Sequence, residues 1–236
     1  MKNKEMYKYV VGLFSAMLLA FVIIIKEQNE SKIIYEGTFN ISQSKKIETN
    51  KVKKLQEENK NKDIVGYLVI PDTNIHEPVL QATDNEFYLN HDSHKNKNAI
   101  GSIFLDYRVK INVGSKNLIY GHNSSTLNVP FKELEKYYDK DFFENHQYIY
   151  LEDENYKQKY QIFSVFIETQ DWSYMKLNFT SDSFLEHLKK LKNKSWYETN
   201  VNIESDDEIL ILQTCSHHIN YQKYKNKYLL VIAKKI

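Results

Sequence analysis

The chain has 236 residues, and its 32 basic side chains against 31 acidic ones leave a net charge of +1, so no global field argues for nucleic acid or an acidic polymer as partner. A single cysteine, Cys215, excludes an internal disulfide framework. The 18 tyrosines and 12 phenylalanines against 6 glycines and 3 prolines suit twisted β-sheet packed with aromatics.

Lys2, Lys4 and Lys8 precede an apolar run from Val10 to Ile25, which Lys26-Glu27-Gln28 ends. At 1.5 Å per residue this run spans about 24 Å, and Tyr7 and Tyr9 extend it toward the interface. No small-x-small cleavage pattern follows Ile25, so residues 1–26 are expected to be a cytoplasmic tail and an uncleaved transmembrane anchor. The preceding lysines then keep the N-terminus in the cytoplasm and put the rest of this single-pass protein outside the cell. Residues 27–62 are rich in Lys, Glu, Asn and Gln and read as a polar stalk. Ile47, Val52 and Leu55 are spaced for a helix that docks on the following domain.

Residues 63–236 remain for one globular domain, enough for a sizeable core. The stretches from 64 to 71 and from 75 to 80 predict a strand pair across the turn Asp72-Thr-Asn74. A short helix or turn is expected over 84–92, then strands over 100–107 and 117–122. Helical turns follow at 130–138 and 141–144, and strands at 147–151, 156–160 and 162–167. Phe184, Leu188 and Leu191 recur at helical spacing over 182–191, with Ser181 or Asp182 as the cap. Strands at 209–215 and 228–233 close the domain. The pattern predicts a mainly β, closed or nearly closed sheet with peripheral helices. It shows no internal repeat and no glycine-rich phosphate loop.

Chemistry concentrates in Glu208-Ile-Leu-Ile-Leu-Gln-Thr-Cys215-Ser-His-His218, where a buried apolar strand ends in a thiol. A lone cysteine is as a rule a small buried hydrophobe. Outside the cytoplasm, however, an odd thiol signals intermolecular pairing or a working nucleophile. A thiol needs a base or cation nearby, and His122, emerging after the apolar Leu118-Ile-Tyr-Gly121, is presented in the same way. His76, His91, His94, His146 and His187 read as surface loop histidines. In extended backbone Cys215 and His217 share a face, but a zinc site needs three or four ligands and no second cluster offers them, so neither metal nor cofactor is expected.

Tyr120-Gly-His122-Asn, Leu-Gln-Thr-Cys215 and Gly101-Ser-Ile-Phe-Leu-Asp-Tyr-Arg108, in this order, resemble the signatures of sortases, the membrane-anchored cysteine transpeptidases of Gram-positive bacteria, class B most closely. Pro78 to Asp92 and the helix before the Cys215 strand support the same resemblance, which runs from Ile64 to Ile236. It implies a closed eight-stranded β-barrel with N-terminal helices. It also implies that the Cys215 thiolate attacks a Thr-Gly-like or Thr-Asn-like bond in the C-terminal sorting signal of a surface protein. His122 then protonates the leaving amine, and an amine from a peptidoglycan cross-bridge, or a pilin lysine, resolves the thioester. By the same resemblance Tyr120, Gln213, Thr214, Tyr174 and Met175 line the substrate groove.

One departure stands out. Sortases of this type carry an arginine on the last strand, and here Tyr228 occupies that position with Lys227 before it. Strand alternation puts the two on opposite faces, so Lys227 needs a bulge or a shifted register to turn inward, and Tyr228 offers a hydroxyl instead. The sequence leaves open which of them assists the oxyanion. It also leaves open an inactive peptide-binding module or a plain cysteine hydrolase.

Overall fold

The computed structural model describes residues 45–46 and 50–236; the expected anchor and most of the stalk lie outside them. Among the described residues no helix is long and apolar enough to cross a membrane. The strands are β1 (Lys45–Lys46), β2 (Ile64–Val69), β3 (His76–Leu80), β4 (Phe104–Leu105), β5 (Lys116–Tyr120), β6 (Tyr148–Glu152), β7 (Tyr156–Glu168), β8 (Ile209–Cys215) and β9 (Tyr228–Lys235). The α-helices are α1 (Lys51–Glu58), α2 (Lys140–Asn145) and α3 (Ser181–Asn193).

The sheet runs β7-β6-β2-β3-β4-β5-β8-β9, and β9 pairs back onto β7, which closes a barrel of eight strands; β1 adds to an edge of β7. Closure leaves no long exposed edge to template aggregation. The 156–160 and 162–167 strands expected from sequence are one 13-residue strand, β7, long enough to bond β6 through its first half and β9 through its second. A register irregularity between Ile162 and Ser164 bends it around the barrel. The strand expected over 100–107 shrinks to Phe104–Leu105, because Gly101 adopts φ +65° before it and Asp106 Oδ1 accepts from the Arg108 amide after it.

Alternate residues of β8 and β9 enter two cores. Leu210, Leu212, Leu229, Val231 and Ala233 fill the barrel interior with Leu68 and Ile119. Ile209, Ile211, Leu230 and Ile232 face outward, where Phe184, Leu188 and Leu191 of α3 cover them. Both faces are buried, which explains a continuous apolar run where a half-exposed strand alternates. Each fully buried aliphatic contributes roughly 1.5–3 kcal/mol, so β8 is held firmly up to its last residues. The cap of α3 is Thr180, one residue before Ser181 and two before Asp182, the expected caps, in a reciprocal box with Ser183. On α1, Asn50 caps, and Val52 is buried with Leu55 packed against the same cluster, while Ile47 lies outside the described residues.

Candidate active site

Two of the pairings are parallel, β3 with β4 and β5 with β8. The β5–β8 pairing brings two C-terminal strand ends to the same rim. Tyr120 is the register partner of Gln213, so the chain two residues further on carries His122 past the end of β5 and Cys215 at the end of β8, at the same rim. The Gly121 amide donates to Gln213 O at 3.1 Å, and the Thr214 hydroxyl donates back to Gly121 O at 2.8 Å. Gly121 is needed for space and not for backbone conformation, since a Cβ there would stand 2.6 Å from Phe131 Cδ2 and 2.9 Å from Ile103 Cγ2. Asn123 Nδ2 donates to Cys215 O at 2.8 Å and to Glu135 Oε1 at 2.7 Å. Glu135 Oε1 also accepts from the His217 amide at 3.3 Å. Both strand exits are therefore stitched together.

The Cys215 thiol is exposed and free. It lies on the outer face, opposite Tyr228 in the β8–β9 register. Burial pushes the thiol up from its ordinary value, and the Lys227 ammonium pulls it partway back. Lys227 sits just before β9, where its carbonyl accepts from the Ser216 amide at 2.9 Å and its ammonium donates to Tyr224 O at 3.2 Å. Tyr228 stacks edge-on against Trp172, ring centroids 5.5 Å apart. Burial raises its hydroxyl, and so does the Cys215 thiolate.

His122 is half-buried, with Nε2 2.6 Å from Leu89 O. A carbonyl can only accept, so Nε2 carries the proton and Nδ1 is the nitrogen able to take another. The turn Phe87–Leu89 lies within the short helix or turn expected over 84–92, and its carbonyl contact with this imidazole is what the sequence reading did not anticipate.

The turn Trp172–Met175 closes the other side. Tyr174 is buried and its hydroxyl donates to Gln213 Oε1 at 2.7 Å, two residues before the thiol. Three residues expected to line a groove stand behind it instead: Tyr120 is 8%, Tyr174 1% and Thr214 1% exposed. The Tyr120 hydroxyl turns away from the rim to donate to Asp106 Oδ2 at 2.7 Å, and the Thr214 side chain faces the barrel interior, tied to Gly121 as above. Gln213 and Met175 keep partly open surface. Fully buried Asp106 also takes a two-pronged bond from Arg108, at 2.9 and 2.7 Å. Burial works to raise the Asp106 carboxyl, but bonds from Arg108 and Tyr120 outweigh it and hold the carboxyl below its ordinary value. Arg108 is thus engaged in shaping the wall of the site.

His187 departs from the surface reading. It is 6% exposed on the inner face of α3, where burial and the nearby Lys116 ammonium hold its imidazole down at about 3. His91 and His146 stack on Phe87 and Phe142 at 4.0 and 3.8 Å, while His76 and His94 are exposed. His217 Nδ1 lies 3.7 Å from Glu135, and His218 packs edge-on against Tyr138 at 4.8 Å. Among the described residues no group of three or more His, Cys, Asp or Glu side chains is arranged to hold a metal ion.

An exposed thiol at a barrel rim, with an imidazole carried to the same rim and a lysine charge acting on it, is an arrangement suited to cysteine acyl transfer. The family model described as the sortase domain matches residues 68–236. Sortase B of Listeria monocytogenes is 35% identical over 234 residues, covering 94% of this chain and 92% of its own. The Staphylococcus aureus sortase B–substrate complex superposes with a TM-score of 0.70 at 32% identity, covering 78% of this chain and 84% of that one. A sortase B structure described as complexed with triglycine gives 0.71 at 29% identity, covering 89% and 97%. The chain belongs to the sortase family of cysteine transpeptidases, and its relatives place it in class B. The closed eight-stranded barrel expected from the resemblance is the fold observed.

Proposed function

We propose that Cys215 is the nucleophile of a transpeptidase that cleaves the C-terminal sorting signal of surface proteins, with His122 as its acid–base partner. The observation that carries this reading is the parallel β5–β8 register, which delivers an exposed thiol and an imidazole to one rim. The thiolate attacks the scissile carbonyl carbon to give a tetrahedral oxyanion. As that collapses, the C–N bond breaks, the departing amine takes a proton from imidazolium His122, and a thioester remains on Cys215. An incoming amine attacks the thioester, gives its proton to His122 and expels the thiolate. In the resting arrangement the imidazole is bonded to Leu89 O, so forming the Cys215–His122 pair requires it to rotate or to work through Nδ1.

The arginine expected on the last strand is replaced by divided labour. Tyr228 shares the face of Cys215, and its hydroxyl supplies one donor to the oxyanion, while the Lys227 ammonium supplies charge from the strand's start. A single point charge lacks the planar fork of a guanidinium, so orientation falls to Tyr228. Gln213, Met175 and Trp172 present the surface that a bound peptide meets.

For the acceptor we propose an unhindered glycine amine of a peptidoglycan cross-bridge, a choice that fits the relative described as complexed with triglycine. Val10 to Ile25 anchors the chain, with the barrel outside the cell. The test is to incubate the full chain with quenched peptides centred on Thr-Gly and Thr-Asn bonds, adding triglycine or a lysine-bearing pilin-type peptide as the amine. Transfer to triglycine supports the reading; transfer to the lysine peptide alone assigns pilin polymerisation; hydrolysis unaffected by either amine sinks transpeptidation. Protease accessibility of the barrel in intact cells tests the orientation.

A further inference from the structure

Three consecutive backbone carbonyls, those of Tyr174, Met175 and Lys176, each accept from a cationic side chain of the barrel. Lys116 Nζ donates to Tyr174 O at 2.9 Å and to Lys176 O at 2.8 Å. Arg108 Nη2 donates to Met175 O at 3.3 Å. The third Lys116 donor meets His187 Nε2 at 2.9 Å, which requires the neutral Nδ1–H tautomer of His187. An ammonium has three N–H bonds, and all three are used. The Phe179 ring covers the cation at 4.9 Å.

Lys116 is 4% exposed at the first residue of β5, at the opposite end of that strand from His122. Burial first, then the Arg108 and Lys176 charges, pull its ammonium down to about 7. A buried cation is expensive, and apolar packing of the same volume is as a rule at least as stable. The acyl-transfer steps do not use it. What it touches is the backbone of one turn and one side chain of α3.

We propose that Lys116 is a positioning residue that, with Arg108, clamps the Trp172–Met175 turn onto the barrel as a preformed wall for the peptide beside Cys215. The proposal rests on the reading that this turn borders the substrate groove. Tyr174 extends the clamp to the site: its carbonyl is held by Lys116 and its hydroxyl by Gln213, a register neighbour of Tyr120. A turn fixed before binding spares the peptide the ordering cost at the moment of association. The clamp therefore acts on KM and leaves the chemistry at the thiol alone.

The experiment uses the full chain in detergent, unaltered and as Lys116→Met and Lys116→Arg. Three quantities are read: hydrogen exchange of amides 172–177, the rate of Cys215 alkylation by iodoacetamide, and KM and kcat on the quenched peptide that the unaltered chain cleaves fastest. For Lys116→Met, exchange at 172–177 is expected to quicken by about tenfold and KM to rise by about tenfold, with kcat and alkylation within twofold. Lys116→Arg, which restores donors to the carbonyls, is expected to recover most of the exchange protection. Unchanged exchange at 172–177, a uniform fall in kcat and alkylation, or a Lys116→Met chain that does not fold would each overturn the clamp. If the unaltered chain cleaves no peptide, the functional reading fails, and the exchange data still decide whether Lys116 holds the turn.

Discussion

Cys215 and Tyr228 are register partners across the β8–β9 ladder, so their side chains leave the same face of the barrel at its rim. In an antiparallel pair such partners sit about 5 Å apart at Cβ, close enough for a phenol to reach an oxyanion that forms on a thiol-bound carbon. Tyr228→Phe keeps the ring that packs on Trp172 and removes only the hydroxyl. It is expected to lower kcat by about 10²-fold with little change in KM, the usual cost of one oxyanion donor. Steady-state kinetics on a quenched peptide measure it; a loss under threefold would remove Tyr228 from the role.

Lys227 acts through charge. Burial raises the Cys215 thiol and Lys227 partly offsets this, so the thiolate becomes the main species only above the ordinary thiol value of about 8.5. The alkylation rate of Cys215 is expected to keep rising with pH beyond that point, and in Lys227→Met the curve moves to still higher pH. A pH profile of alkylation, taken without substrate, reads this directly. A downward shift in the variant would contradict the assignment.

Asp106, fully buried, accepts from Arg108, Tyr120 and Asn85, the last at 3.2 Å. Its partner Arg108 keeps 40% of its side chain exposed, so breaking the pair falls at the lower end of the buried range, about 3 kcal/mol for Asp106→Ala. Denaturant melts of the variant test that figure. The carboxyl titrates lower in the folded chain than in the unfolded one. Its contribution is therefore present above about pH 3.9 and is lost as pH falls through the folded value. The unaltered chain should lose stability in that acid window more steeply than Asp106→Ala.

Gly121 has no room for a methyl group: Phe131 and Ile103 both lie within 3 Å of the Cβ position. Gly121→Ala is expected to displace Phe131 or the turn that carries His122, lowering kcat by at least tenfold while the chain still folds. Thr214→Val removes only the bond to Gly121 O, so its cost should be about 1 kcal/mol of stability. Comparing the two in thermal melts and turnover separates crowding from hydrogen bonding.

The apolar runs of β8 and β9 were readable because polar residues bound each of them and both faces are buried. The thiol and the imidazole were readable because each follows such a run directly. The strand count and full closure of the barrel came from the family resemblance, and the parallel β5–β8 pairing was not anticipated at all, since it depends on no single strand's own pattern. Lys116 and His187 escaped for a related reason. A lysine at a strand's start reads as a solvated charge, and its partner lies 71 residues away. The burial of Tyr120, Tyr174 and Thr214 was equally hidden, because their hydroxyl partners Asp106, Gln213 and Gly121 come from other elements.

The central claim is that Cys215 carries the acyl group and His122 moves the proton. Intact-mass spectrometry of the full chain, mixed briefly with a cleavable sorting-signal peptide and no amine, tests it most directly. The expected result is an adduct of the acyl fragment's mass that maps to Cys215, disappears on adding triglycine, never forms in Cys215→Ala, and forms about 10²–10⁴-fold more slowly in His122→Ala. A peptide cleaved without any adduct on Cys215, or at an unaltered rate in either variant, would contradict that claim.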